Sequence, residues 1–146
     1  MEYYKQLRQY VGHDPLILPG AVVLIFNDKK ELLLQERECG VFGLPGGLME
    51  LGESLEDTAR REVLEETGLR LGRLTLCNVY SGPDYYSENP NGDKFYSVTA
   101  VYKTYEYTGN ITPDENETIS LQFYSPKHLP DGILTSYRKF IEDEFL

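Results

Sequence analysis

The chain has 146 residues, 40% of them apolar, and a formal net charge of −10. That length suits one domain with one core, and the apolar content is that of an ordinary globular protein. The acidity excludes general binding to a nucleic-acid backbone, which needs basic surface. It does not exclude a small anionic ligand, because a local cation reverses the field of an acidic site.

The start, MEYYKQLRQY, carries no apolar stretch of signal-peptide length, and the longest clean apolar run, AVVLIF, is too short to span a bilayer. A cytoplasmic location with no membrane partner is therefore expected. Cys39 and Cys77 fit no zinc or redox spacing and read as reduced thiols. His13 and His128 lie in turn-like contexts and read as surface residues.

In chain order, residues 2–12 predict a short helix ending at Gly12. AVVLIF, 21–26, predicts a buried strand. A turn at 27–30 leads to a second strand, 31–37. GLPGGLMELGE, 43–53, is so rich in glycine that it predicts a loop with unusual backbone angles. SLEDTARREVLEETG, 54–68, predicts a helix with Ser54 and Asp57 as a capping box and Gly68 as a left-handed stop. Strands are expected at 73–81, 93–109 and 118–125, with a turn at 90–93 and a closing helix at 133–145. Strands with helices between them predict a single α/β domain over residues 1–146, a mixed central β-sheet with helices on its faces.

The middle helix poses a physical problem. Glu62, Glu65 and Glu66 crowd its carboxyl end, where the dipole is already negative and favours cations. Their spacing places them within about 100° of arc, so they also repel one another. Leu55, Ala59 and Val63 form an apolar stripe beside them, whereas Glu56, Asp57 and Arg60 fall on the far, solvated side. Arg61 pairs with Glu65 at four residues, but one arginine does not offset three glutamates. The plain alternative is a solvated acidic face. A hard-cation site resolves the repulsion, since Mg²⁺ takes oxygen ligands and keeps several waters. Glu53 offers a fourth carboxylate, and Gly46–Gly47 lets backbone approach metal or phosphate.

The stretch Gly47 to Leu69, GLMELGESLEDTARREVLEETGL, resembles the Nudix signature Gly-x5-Glu-x7-Arg-Glu-aliphatic-x-Glu-Glu-x-Gly-aliphatic. Gly47, Glu53, Arg61, Glu62, Val63, Glu65, Glu66, Gly68 and Leu69 fill every defined position. The resemblance implies the Nudix α/β/α sandwich and hydrolysis of a nucleoside diphosphate linked to another group. It implies Glu62, Glu65 and Glu66 as ligands of Mg²⁺, with Mn²⁺ as an alternative. Gly47 would lend its carbonyl, Glu53 would be a further ligand or support, and Arg61 would orient a glutamate. The general base varies in the family; here Glu53, Glu65 and the acidic loop 113–117 are candidates, with Glu117 preferred.

Outside the box, Arg37 suits a phosphate or a solvated strand end. Tyr85 and Tyr86 lie in a tyrosine-rich loop that either stacks on a base or sugar or packs on the sheet. In some family members a tyrosine at about this distance accompanies dinucleoside polyphosphate hydrolysis, and a proline accompanies ADP-ribose hydrolysis; Tyr85 fits better than Pro83. The expected partner is a small pyrophosphate compound, such as a nucleotide, ADP-ribose, a nucleotide sugar or a dinucleoside polyphosphate, and a homodimer is allowed. The rival reading is a nucleotide-sensing module of the same fold that performs no chemistry.

Overall fold

A computed structural model of the chain describes residues 2–145. The chain runs α1 (Tyr3–Val11), β1 (Leu16–Ile25), β2 (Leu32–Glu38), β3 (Val41–Gly43), β4 (Gly46–Leu48) and α2 (Leu55–Thr67). It continues through β5 (Arg70–Leu71), β6 (Thr75–Tyr80), a 3-10 turn at Pro83–Tyr85, β7 (Tyr86–Glu88) and β8 (Lys94–Thr104). It ends with β9 (Tyr107–Thr108), β10 (Ser120–Tyr124) and α3 (Thr135–Phe145).

The main sheet has the order β4-β1-β8-β6, with β7 also on β8. β1 and β8 are parallel, and the other pairs are antiparallel, so the sheet is mixed. A second sheet, β10-β2-β3, is antiparallel. The apolar run of β1 follows from its central, parallel position, which buries both faces. Ala21, Val23 and Ile25 pack with Ala59 and Val63 of α2. Val22, Leu24 and Phe26 pack with Phe140 and Ile141 of α3. A helix thus covers each face, giving the expected α/β/α sandwich. Among the described residues, no helix is long and apolar enough to cross a membrane.

Several predicted boundaries need correction. β1 begins at Leu16, well before the expected start at residue 21, and runs through Pro19 and Gly20. The Pro19 carbonyl still accepts the Met49 N–H, and a Cβ on Gly20 would meet the Gly47 carbonyl oxygen at 2.5 Å. These residues admit a close neighbour rather than breaking the strand. The same cause corrects the loop expected over 43–53, which contains β4 paired with β1. The strand expected over 93–109 divides at Thr104, whose hydroxyl accepts the Glu106 N–H and donates to the Arg73 carbonyl. Arg60 is not on a solvated side; it is half-buried and donates to the Leu71 carbonyl at 2.7 Å.

The predicted caps of α2 are present. Ser54 Oγ accepts the Asp57 N–H at 3.0 Å, and Asp57 Oδ2 accepts the Ser54 N–H at 3.1 Å. Gly68 adopts φ 79° and its N–H closes on the Leu64 carbonyl. Ser54→Ala removes one member of this reciprocal pair and is expected to cost about 1 kcal/mol of stability. A lowered urea midpoint with unchanged slope checks this.

Candidate active site

The three glutamates of α2 occupy three different environments. Glu66 is buried, Glu62 is half-buried and Glu65 is exposed. Glu66 Oε2 accepts the Gly46 N–H at 3.2 Å, and Glu66 Oε1 accepts from Arg37 Nη2 at 3.2 Å. The Glu62 and Glu66 carboxyls are neighbours. Burial pushes the Glu66 carboxyl up to about 8, against the pull of Arg37 and the Gly46 N–H, and the charge of Glu62 raises it further. Glu62 is raised as well, again chiefly by burial, with Arg61 opposing.

Arg61 binds much more than the Glu65 carboxylate, which lies 3.5 Å away. It donates to Glu53 through two bonds of 2.6 and 2.9 Å, to Glu62 at 2.8 Å and to the Leu48 carbonyl at 3.0 Å. Glu53 also accepts from the Glu50 N–H and the Thr58 hydroxyl. Arg61 beside it, with these donors, holds Glu53 down at about 2. Glu53 therefore sits behind Arg61 as a fixed carboxylate, tying the loop after β4 to α2.

The crowded end of α2 is completed by partners distant in sequence. The Thr67 carbonyl accepts the Thr112 N–H at 2.7 Å, and the Glu66 carbonyl accepts the Asp114 N–H at 3.4 Å. The loop carrying Glu117 thus docks on the last turn of the helix and satisfies carbonyls left over there. A side-chain relay fixes the same loop from β2. Arg37 Nε donates to Gln35 Oε1 at 3.2 Å, and the fully buried Gln35 donates to Thr118 Oγ1 at 2.7 Å. Gln35 and Thr118 were missed in the sequence, although a glutamine inside the apolar run LLLQ was a visible signal. Tyr137 of α3 was missed too; its ring lies over Gly43, where a Cβ would meet it at 2.8 Å.

A cleft of about 720 Å³ opens onto this arrangement. Arg37, Gly47 and Arg61 line it together with Glu62, Glu65, Glu66 and Glu117, so one wall gathers most of the residues singled out from the sequence. Tyr85 and Tyr86 are elsewhere: they line a smaller cavity of about 130 Å³ that shares Val22, Ser97, Thr99 and Tyr137 with the cleft. Tyr85 packs edge-on to Tyr80 and stacks over Phe140, while the exposed Tyr86 leans on Tyr96 at 5.1 Å.

The description NUDIX domain matches residues 17–143 of the chain. The chain belongs to the NUDIX family. A Bacillus subtilis protein provisionally named 8-oxo-dGTP diphosphatase is 33% identical over 125 residues, covering 85% of this chain and 77% of that one. A Methanocaldococcus jannaschii ADP-ribose pyrophosphatase is 30% identical over 142 residues, 95% of this chain and 77% of that one. The NAD-capped RNA hydrolase NudC of Vibrio atlanticus is also 30% identical, but the chain spans only 46% of its length. A crystal structure of the MutT NUDIX hydrolase from Burkholderia pseudomallei superposes with a TM-score of 0.75 at 28% identity, covering 88% of this chain and 98% of that one.

NUDIX proteins generally use divalent metal ions, and the donor chemistry here suits one. The candidate ligands are all oxygens, as a hard cation requires. Glu66 is held by the Gly46 N–H, and the neighbouring Glu62 carboxyl lies against Gly47, where a Cβ would be 2.6 Å from Glu62 Oε1. The glycine thus leaves a cradle that any side chain would fill. Among the described residues, no three acidic, histidine or cysteine side chains form a group able to hold a metal. Two carboxylates are nonetheless the usual protein share for Mg²⁺, which keeps waters and takes substrate phosphate oxygens for the rest.

Proposed function

We propose that this NUDIX hydrolase cleaves the pyrophosphate linkage of a nucleoside diphosphate joined to a further group. The observation that carries the reading is the pair Glu62–Glu66, two neighbouring carboxyls, the first seated over Gly47, in a cleft of substrate size. With both carboxyls ionised, such a pair costs stability unless a cation joins it. The substrates named in the three relatives point the same way, since each is a nucleotide containing a phosphoanhydride.

Glu62 and Glu66 would hold Mg²⁺ or Mn²⁺, with Glu65 at the exposed side and the Gly47 carbonyl completing the protein's share. When bound, the ion shields the phosphate charge, lowers the pKa of a water and stabilises the leaving phosphate. The chain's own part is positioning. Arg61, braced by Glu53, orients Glu62. Arg37 sits at the mouth of the Glu66 pair, where its guanidinium can meet a phosphate oxygen. Glu117, on the loop locked to the end of α2, takes the proton of the attacking water. The water oxygen joins one phosphorus as the bridging bond breaks, leaving two phosphate-bearing products. The smaller cavity, walled by Tyr85, Tyr86 and Tyr137, by the hydroxyls of Ser97 and Thr99 and by Asp84, offers an aromatic, cation-free place for the base or sugar. The unpaired thiols of Cys39 and Cys77 fit a reducing compartment such as the cytoplasm.

The decisive experiment is a hydrolysis screen over NTPs, ADP-ribose, nucleotide sugars, NADH, CoA and dinucleoside polyphosphates, with and without Mg²⁺ or Mn²⁺. Turnover of at least one substrate is expected, abolished by EDTA and restored by metal. Tight binding without turnover of any compound would instead identify a nucleotide-sensing module.

A further inference from the structure

The helix α1 lies outside the matched NUDIX region, yet it forms part of the cleft. Glu2, Tyr4, Lys5 and Arg8 all line that space. No residue of α1 is fully buried, although Tyr3, Leu7 and Val11 are half-buried. Two polar anchors also tie the helix down. At its start, the Tyr3 N–H donates to Glu50 Oε1 at 2.9 Å. Glu50 in turn donates its own N–H to Glu53 at 2.8 Å, which links the helix to the brace of Arg61. At its other end, Arg8 donates to the carbonyls of Gly12, Asp14 and Lys94 and lies 3.7 Å from Asp93. α1 is therefore fixed between the glutamate-bearing box and the turn leading into β8.

Among the described residues, the cations lining the cleft are Lys5, Arg8, Arg37 and Arg61. Arg8 is spent on the anchor just described and Arg61 on Glu53 and Glu62, while Arg37, held against Glu66, serves the phosphate beside the glutamate pair. Lys5 is differently placed. Its ammonium lies 3.5 Å from Glu2 Oε2, with both side chains more than half exposed, and 5.9 Å from the Tyr4 ring centre. An exposed pair of this kind is weak and exchanges readily for a better anion. Lysine binds phosphate as a mobile point charge, without the fixed fork of arginine.

We propose that Lys5 is a specificity-determining residue that binds a phosphate group lying beyond the scissile linkage, so that α1 adapts this site to substrates with three or more phosphates in a row. The assignment rests on the pyrophosphate reading of the same cleft. A substrate with a neutral distal group gains nothing from Lys5. A polyphosphate displaces Glu2 and closes the cationic contact from the side of the cleft that the box does not supply.

The test compares two probes whose α,β bridge cannot be hydrolysed, α,β-methylene-ATP and α,β-methylene-ADP, by calorimetric titration of the full chain with Mg²⁺ present. Lys5→Gln is expected to weaken α,β-methylene-ATP about twofold to fivefold, the value of one exposed charge contact. It should leave α,β-methylene-ADP unchanged, and Lys5→Arg should restore most of the loss. Equal weakening of both probes, no weakening of either, or no binding of α,β-methylene-ATP to the unmodified chain overturns the proposal. Hydrolysis of ATP by the unmodified chain is followed in parallel. The expected probe discrimination without turnover of any compound in the hydrolysis screen would support Lys5 as an anion contact while overturning the hydrolase reading.

Discussion

Glu66→Gln is expected to lower turnover at least about a hundredfold, more than the ten- to hundredfold typical of groups that merely orient a metal ligand. The fold should survive, for a reason specific to this position. Burial already favours the uncharged form of Glu66, and glutamine is an uncharged side chain of the same shape. Its amide oxygen can still accept the Gly46 N–H, so the contact between β4 and α2 is kept. What is lost is the second oxygen. The amide nitrogen then faces Arg37, donor against donor, and no carboxylate remains to join Glu62 on a cation. The check is steady-state turnover together with Mn²⁺ affinity, with circular dichroism as the control for folding. Glu65→Gln should also reduce turnover, but from the exposed side and with little change in stability. Full activity in both variants would overturn the metal assignment.

The contrast between these two glutamates marks where the sequence stops being informative. Helical periodicity put Glu62, Glu65 and Glu66 on one arc beside the apolar stripe, and that arc is real. Periodicity is blind to what lies opposite. The burial of Glu66 depends on β4 crossing above it, and β4 looked like a loop because its glycines were read as turn formers. Their actual role is close approach: β4 can lie against β1 only without side chains at Gly20 and Gly46, and Gly47 leaves room for the Glu62 carboxyl. Arg37 was legible as a phosphate-seeking cation, but its partner Glu66 is 29 residues away, and no local rule connects them. Likewise the repulsion at the end of α2 is relieved partly by N–H groups from the loop after β9, which are invisible until the chain has folded back. By contrast, the caps of α2 and the apolar run of β1 are local consequences of residue type, and both were readable in advance.

The neighbouring glycines of the box are expected to fail in opposite ways when given a methyl group. Gly46 has φ 155°, and its added Cβ would strike the Ala21 carbonyl oxygen and lie 2.7 Å from Val22 Cα. Both obstacles are backbone of the central strand, which is buried and cannot yield. Gly46→Ala should therefore cost about 3 kcal/mol or more, combining backbone strain with overpacking. The expected reading is a marked fall in the urea midpoint, with loss of activity following from loss of structure. At Gly47 the obstacle is the carboxyl end of Glu62, with its oxygens at 2.6 and 2.8 Å. That end is a side chain and can swing aside by giving up its bond to Arg61. Gly47→Ala should accordingly keep most of its stability, within about 1 kcal/mol of the parent, as for a change that displaces a partly exposed group. Its metal affinity and turnover should fall at least about tenfold, because the Glu62–Glu66 pair is broken at its cradle. Denaturation and metal titration on the same two proteins separate the effects. A Gly46→Ala variant as stable as the parent would show that β4 can leave β1 without cost. A fully active Gly47→Ala variant would remove Glu62 from the site.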